Sequence, residues 1–233
     1  MNMQRPSHCH SPISCPSIKK LPNKQGINKP PAINICPTIK LQPFNASISV
    51  NSSIAINIGA NHYLKLGNEF VGFDRPAEVV RSVIDNYFGG DGLQFAKEYY
   101  RQLSELPRYG NFDIVGHFDL ITKNCEVAPL FDEDNEMYKR YALDCFYALK
   151  DKIHVFEVNT GAMARGYRKT PYPSPFILKE MAKAGVGIVL GSDCHDNAFL
   201  AHGFQESLEL CKACGVKELQ IFTKGGFKGI ALV

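Results

Sequence analysis

Residues 153–195 read IHVFEVNTGAMARGYRKTPYPSPFILKEMAKAGVGIVLGSDCH, and this stretch decides the fold class. A short apolar run, 153–158, is followed by a Gly- and Pro-punctuated turn and then a helical pattern over 174–184. A second apolar run, 186–190, comes next. Strand, helix and strand in that order predict parallel strands joined by a crossover helix. The same unit extends outward in both directions. An apolar strand at 112–116 precedes a helix over 135–149, and the strand at 186–190 precedes a helix over 204–214 and a last strand at 219–222. Upstream, Ile54, Ile56 and Ile58 alternate as a strand does. Asp74-Arg75-Pro76 predicts a helix start, with Asp74 as N-cap and Val79, Val80, Val83, Ile84 and Tyr87 at helical spacing up to Gly89-Gly90. A further helix is expected over 93–106, stopped by Pro107. The alternation predicts an α/β domain built as a barrel or a doubly wound sheet.

The polar residues fall in register with this pattern. His117 and Asp119 lie just past the 112–116 strand, Glu157 and Asn159 end the next, and Asp193 and His195 follow the third. His62, in Asn61-His62-Tyr63, stands just beyond the Ile54–Ile58 alternation. In a β/α barrel the C-terminal ends of the strands form the face where reactive groups converge. Each residue also has an ordinary explanation: an edge-of-core histidine, a barrel glutamate bonded to its neighbours, an aspartate capping the next segment. A set of His, His, Asp and His donors suits Zn, Mn or Fe, and such a site suits hydrolysis. Downstream of Glu157, Arg165, Arg168 and Lys169 crowd a Gly-containing loop on that face. Guanidinium forks and an ammonium charge there suit an anionic substrate, although exposed basic loops are common. His154 falls inside a strand and His202 at a helix start. Cys211-Lys212-Ala213-Cys214 has the C-x-x-C spacing but no second pair, so ordinary helix cysteines are expected.

Composition separates the first part of the chain from the rest. Of 233 residues, 45% are hydrophobic and 21% charged, which excludes wholesale disorder, collagen and a coiled coil. All 23 acidic residues follow position 68, and the net charge of +3 therefore combines a basic opening with an acidic remainder. Residues 1–55 are proline-dense and carry no helical or strand period, which predicts a poorly ordered leader ahead of a domain over 56–233. Its scattered Lys residues do not form a nucleic-acid tail, and no secretory signal or membrane span is read. Within it, His8-Cys9-His10 is an H-x-H that on a strand would aim two imidazoles at one metal; between Pro6 and Pro12 it reads as a solvated loop. The eight scattered cysteines favour a reducing, cytoplasmic setting.

Several stretches together resemble the histidinol-phosphatase branch of the PHP (polymerase and histidinol phosphatase) family. They are Ile58-Gly59-Ala60-Asn61-His62-Tyr63, Asp113-Ile114-Val115-Gly116-His117-Phe118-Asp119, Glu157-Val158-Asn159-Thr160-Gly161, Tyr172-Pro173-Ser174-Pro175 and Gly191-Ser192-Asp193-Cys194-His195. The resemblance implies a distorted seven-fold TIM-like β/α barrel of the PHP type, two or three divalent transition metals (Zn, Mn or Fe), and hydrolysis of a phosphate monoester. It implies His62 and His117 as ligands of one metal, Asp193 as a ligand of another and His195 of a third. It makes Asp193 and His195 the expected catalytic residues and places Arg165 and Arg168 where the family grips phosphate. The implied reaction converts L-histidinol phosphate to L-histidinol in histidine biosynthesis, with a small phosphorylated substrate and no nucleic-acid or membrane partner. The family's opening H-x-H, its further histidines and a bridging Glu are unmatched, and no acid precedes Glu69. The barrel is therefore expected to be incomplete at its N-terminal side, and the alternative is an inactive protein lacking those ligands.

Overall fold

The computed structural model describes residues 56–232. The leader and its His8 and His10 lie outside the described residues. Strand β1 (Ile58–Gly59) leads into a hairpin of β2 (Tyr63–Leu66) and β3 (Glu69–Gly72). Helices α1 (Ala77–Phe88) and α2 (Gly92–Leu103) follow, then β4 (Ile114–Val115), α3 (Glu136–Leu149) and β5 (Val155–Asn159). The short α4 (Gly161–Ala164) and the longer α5 (Pro175–Ala184) precede β6 (Gly187–Gly191). Helix α6 (Phe204–Ala213) and the hairpin of β7 (Glu218–Thr223) and β8 (Gly226–Ala231) complete the order.

Local chemistry explains most boundaries. The Asp91 side chain accepts from the backbone N–H groups of Leu93 and Gln94, capping α2, and Asn135 caps α3 through Met137. Pro175 sits in the first turn of α5, where its missing N–H costs no helical bond. Gly89 and Gly185 end α1 and α5 in the left-handed conformation, φ 60° and 68°. Helix α2 ends at Leu103, three residues earlier than its spacing predicts, and a 3-10 turn at Leu106–Arg108 carries Pro107. At α1 the sequence expectation is corrected. Pro76 is the N-cap, without a side-chain cap bond, and Asp74 is engaged elsewhere.

Four strands form one parallel sheet in the order β1-β4-β5-β6. Ile58, Ile114, Val155 and Gly187 stand side by side in its register. Every residue of β5 is buried, as in a central parallel strand covered on both faces. On the helix side, Phe156 packs edge-on against Phe118 and Phe146. An aromatic layer of Tyr99, Tyr100 and Tyr138 continues this core. Its hydroxyls are satisfied inside: Tyr99 donates to the Phe118 carbonyl, and Tyr100 and Tyr138 share a bond, each 2.9 Å.

The α/β class and the parallel strands agree with the expectation, but the described residues do not close a seven-fold barrel. The sheet has four strands, and β7 pairs antiparallel with β8 instead of extending it. The β2–β3 hairpin is also new. Its two-residue loop, Gly67-Asn68 with φ 62° at Gly67, is a hairpin signal present in the sequence. His154 lies just ahead of β5, not within it. Among the described residues no helix is long and apolar enough to cross a membrane.

Candidate active site

Parallel pairing sets the C-terminal ends of β1, β4, β5 and β6 next to one another, so the residues that follow them gather on one face. Glu157 is the buried centre of that face. Its side chain shares a sheet face with Gly116 and Gly191 on the adjoining strands. A Cβ on Gly191 would collide with Glu157 Oε1, and one on Gly116 would lie 3.4 Å from Oε2. Glu157 Oε2 accepts from the His117 backbone N–H at 3.0 Å and from Asn159 Nδ2 at 2.9 Å. Asn159 Oδ1 in turn accepts from the Gly161 N–H at 2.9 Å. Burial raises the Glu157 pKa, the bonds from Asn159 and His117 oppose this, and the Asp193 charge adds to it. An acid inside an apolar strand, Phe156-Glu157-Val158, was the sequence signal for this role.

Above Glu157 two imidazoles meet. The rings of His62 and His117 lie 4.8 Å apart and nearly perpendicular. His117 is buried, and its Nδ1 has no hydrogen-bond partner among the described residues. Burial first, then the neighbouring His62, bring its pKa down to about 4, against the pull of the Asp193 carboxylate. His62 Nδ1 lies 3.2 Å from Asp74 Oδ2, and Lys123 Nζ lies 2.6 Å from Asp74 Oδ1. The His62 contact, with Lys123 behind it, holds the Asp74 carboxyl well below the usual range. Asp74 and Lys123 were missed as site residues because the cap pattern already explained Asp74.

The His117 shift has a checkable consequence. A histidine that stays neutral when folded contributes stability above its unfolded pKa of about 6.5, and that contribution is lost as pH falls toward the folded value. In chelator-treated protein the wild type should therefore lose more stability between pH 7.5 and pH 4.5 than His117→Asn does. Urea midpoints measure this, and equal losses in the two proteins would refute it.

Asp193 follows β6 in the left-handed conformation, φ 46°, which Asp tolerates better than most residues. Arg165 grips it twice, Nη1 to the Asp193 carbonyl and Nη2 to Oδ2, each 3.1 Å. Gly161 makes this possible: a Cβ there would stand 2.8 Å from Arg165 Nη2 and 2.9 Å from Asp193 Oδ2. His195 Nε2 lies 3.5 Å from Asp193 Oδ1, with its side chain 79% exposed. Arg168, expected beside the substrate's phosphate, is placed differently. Its side chain is only 4% exposed and is held by the Thr122 carbonyl and Glu133. It therefore acts as a buried clamp behind the site. Cys211 and Cys214 are buried free thiols, and burial pushes Cys211 up to about 12, consistent with inert helix cysteines.

The donor atoms fit a metal in part. His117 offers an unpartnered buried nitrogen, and Asp74 on His62 Nδ1 is the kind of contact that orients a metal-binding imidazole. Yet among the described residues no three His, Cys, Asp or Glu side chains converge on one point. They supply an imidazole pair and a separate Asp193–His195 pair, not a closed coordination sphere.

Fold and face together define an α/β protein with an acid-, imidazole- and guanidinium-lined cluster at the C-terminal ends of its parallel strands. No family model matches the chain. It is similar to a probable histidinol-phosphatase of Deinococcus radiodurans, with 29% identity over 161 residues. That match covers 68% of this chain and 54% of the relative, so the chain spans about half the length of the protein it matches.

Proposed function

We propose that this chain acts as a metal-dependent phosphate monoester hydrolase, converting L-histidinol phosphate to L-histidinol and phosphate in histidine biosynthesis. The observation that carries the reading is the gathering of His62, His117, Asp193 and Arg165 at the ends of neighbouring parallel strands. The partial similarity to a probable histidinol-phosphatase supports it. His62 and His117 would hold one divalent metal (Zn, Mn or Fe), and Asp193 with His195 would contribute to a second or third. When bound, such metals supply Lewis acidity toward the phosphoryl oxygens and lower the pKa of water.

The chain's own groups divide the remaining work. Arg165, with side chain 35% exposed and already paired with Asp193, can turn its planar fork toward an anionic substrate while still neutralising that carboxylate. Lys169 adds a positive charge on the same loop. Buried Glu157 fixes the His117 backbone and, through Asn159, the start of the Arg165-bearing turn. Were His195 left free of metal, its exposed imidazole would be the group to give a proton to the leaving alkoxide.

The second reading is a catalytically inactive protein of the same class. It is favoured by the missing third donor beside the imidazole pair among the described residues. One experiment separates the two: elemental analysis of the purified full chain, with phosphate release from histidinol phosphate before and after chelation. Two or three metals per chain and turnover that chelation abolishes are expected. No bound metal and no turnover would leave only the inactive reading.

A further inference from the structure

The geometry points to Asp74 as a positioning residue that fixes the tautomer and direction of the His62 ring, with Lys123 as the clamp that holds Asp74 in place. An ionised carboxylate only accepts hydrogen bonds, so the 3.2 Å contact with Asp74 Oδ2 requires the proton on His62 Nδ1. In the neutral ring Nε2 is then the lone-pair atom, and the neighbouring edge-on His117 sets the side on which the ring stands.

Asp74 is itself over-determined. Its other oxygen faces Lys123 Nζ at 2.6 Å, with the Lys123 side chain 13% exposed. The Lys123 ammonium also lies 4.5 Å from the centre of the Tyr167 ring, a cation–π contact that keeps it from turning to solvent. Next along the chain, Asn124 donates to the Arg75 carbonyl at 2.9 Å, pinning the backbone beside Asp74. Two further links anchor the segment: the Phe73 N–H donates to the His62 carbonyl at 3.3 Å, and α1 begins just after Pro76. Tyr167 belongs to the turn that carries Arg165 and Lys169. The chain of contacts Tyr167, Lys123, Asp74, His62 therefore ties the basic loop to the imidazole pair. The arrangement accounts for an aspartate that has the local sequence of a helix cap yet lies two residues ahead of the N-cap, Pro76, and caps nothing. The role of His62 as a ligand rests on the function proposed above; its tautomer does not.

The test uses the full chain, labelled with 15N, treated with chelator and held at about pH 8, where unperturbed histidines are neutral. Long-range 1H–15N correlation reads the protonated nitrogen of each ring, and His62→Gln assigns the His62 signals. The expected wild-type result is His62 protonated on Nδ1. Asp74→Ala should move the major population to the Nε2-protonated form. Asp74→Asn, which keeps an acceptor oxygen, should retain the Nδ1 form and guards against misreading a fold defect. Lys123→Met should shift the population in the same direction as Asp74→Ala, by less. Wild-type His62 protonated on Nε2, or an Nδ1 form unchanged in Asp74→Ala, would overturn the assignment; an unchanged spectrum in Lys123→Met would remove Lys123 from it. An inactive wild type with the expected tautomer pattern would sink the phosphatase reading and leave the positioning of His62 standing.

Discussion

Arg168→Leu should destabilise the protein by about 3–5 kcal/mol, the scale on which a buried charge pair is broken by removing one partner. The Arg168 guanidinium donates to the Thr122 carbonyl at 2.9 Å and to both Glu133 oxygens at 3.2–3.3 Å, and it lies 5.7 Å from the centre of the Tyr172 ring. Glu126 is 3.8 Å from its Nε. Fully buried Asp119 accepts from Ser174 N at 2.8 Å and Oγ at 2.6 Å and depends on the same positive charge. Burial raises the pKa of Asp119 and of Glu133, and Arg168 is the leading force opposing it in each. Without Arg168 the two carboxyls face each other with no cation, so they must take up protons or admit water. For a domain of this size each kcal/mol corresponds to roughly 2–4 °C, so a fall in Tm of about 10 °C is expected by calorimetry. Adding Glu133→Gln to Arg168→Leu should recover part of the loss, because it removes one of the stranded charges. A phosphate-binding Arg168 would behave differently: stability within about 0.5 kcal/mol of wild type, as for an ordinary surface change, and a raised KM. That outcome would defeat the clamp.

Asp193→Asn should slow phosphate release from histidinol phosphate at least ~10²-fold, the scale for losing one preorganised charged group in an active site. Asparagine is the informative replacement. It tolerates the left-handed backbone at φ 46°, whereas alanine there adds strain of about 1 kcal/mol and confuses folding with chemistry. The change removes the negative charge that Arg165 holds through Nη2 but keeps an oxygen for that bond. The fold should therefore survive, as circular dichroism and an unchanged Tm would show, while turnover is lost. Wild-type turnover in Asp193→Asn would end the assignment of this carboxylate to the reaction. A variant that fails to fold would instead show that the Arg165–Asp193 pair holds the strand ends together.

Much of the scaffold was readable as local pattern. The β5–α5–β6 unit follows from an apolar run, a proline at the first helical turn and a closing glycine, all interactions between residues near in sequence. Register with the strand ends was also enough to single out His62, His117, Asp193 and His195. Arg165 was marked by its place on a Gly-containing loop beyond β5, and Glu157 by being an acid inside an apolar strand. The β2–β3 hairpin carries a local signal in Gly67-Asn68, a two-residue turn between short strands.

The amino-acid sequence alone thus determined the α/β class, the parallel strands and which polar residues cluster at their ends, because helical and strand periods and turn chemistry act over a few residues. Tertiary structure decided what those polar groups do. Arg165 and Arg168 differ little as sequence, yet one lies partly exposed against Asp193 and the other is sealed against Glu133 and Thr122. Asp74 has the local look of a cap and spends its carboxylate on His62, 12 positions away, and Lys123, 49 away. A charged group takes the partner that three-dimensional packing brings within reach, and burial makes that choice costly to reverse; no local pattern carries that information.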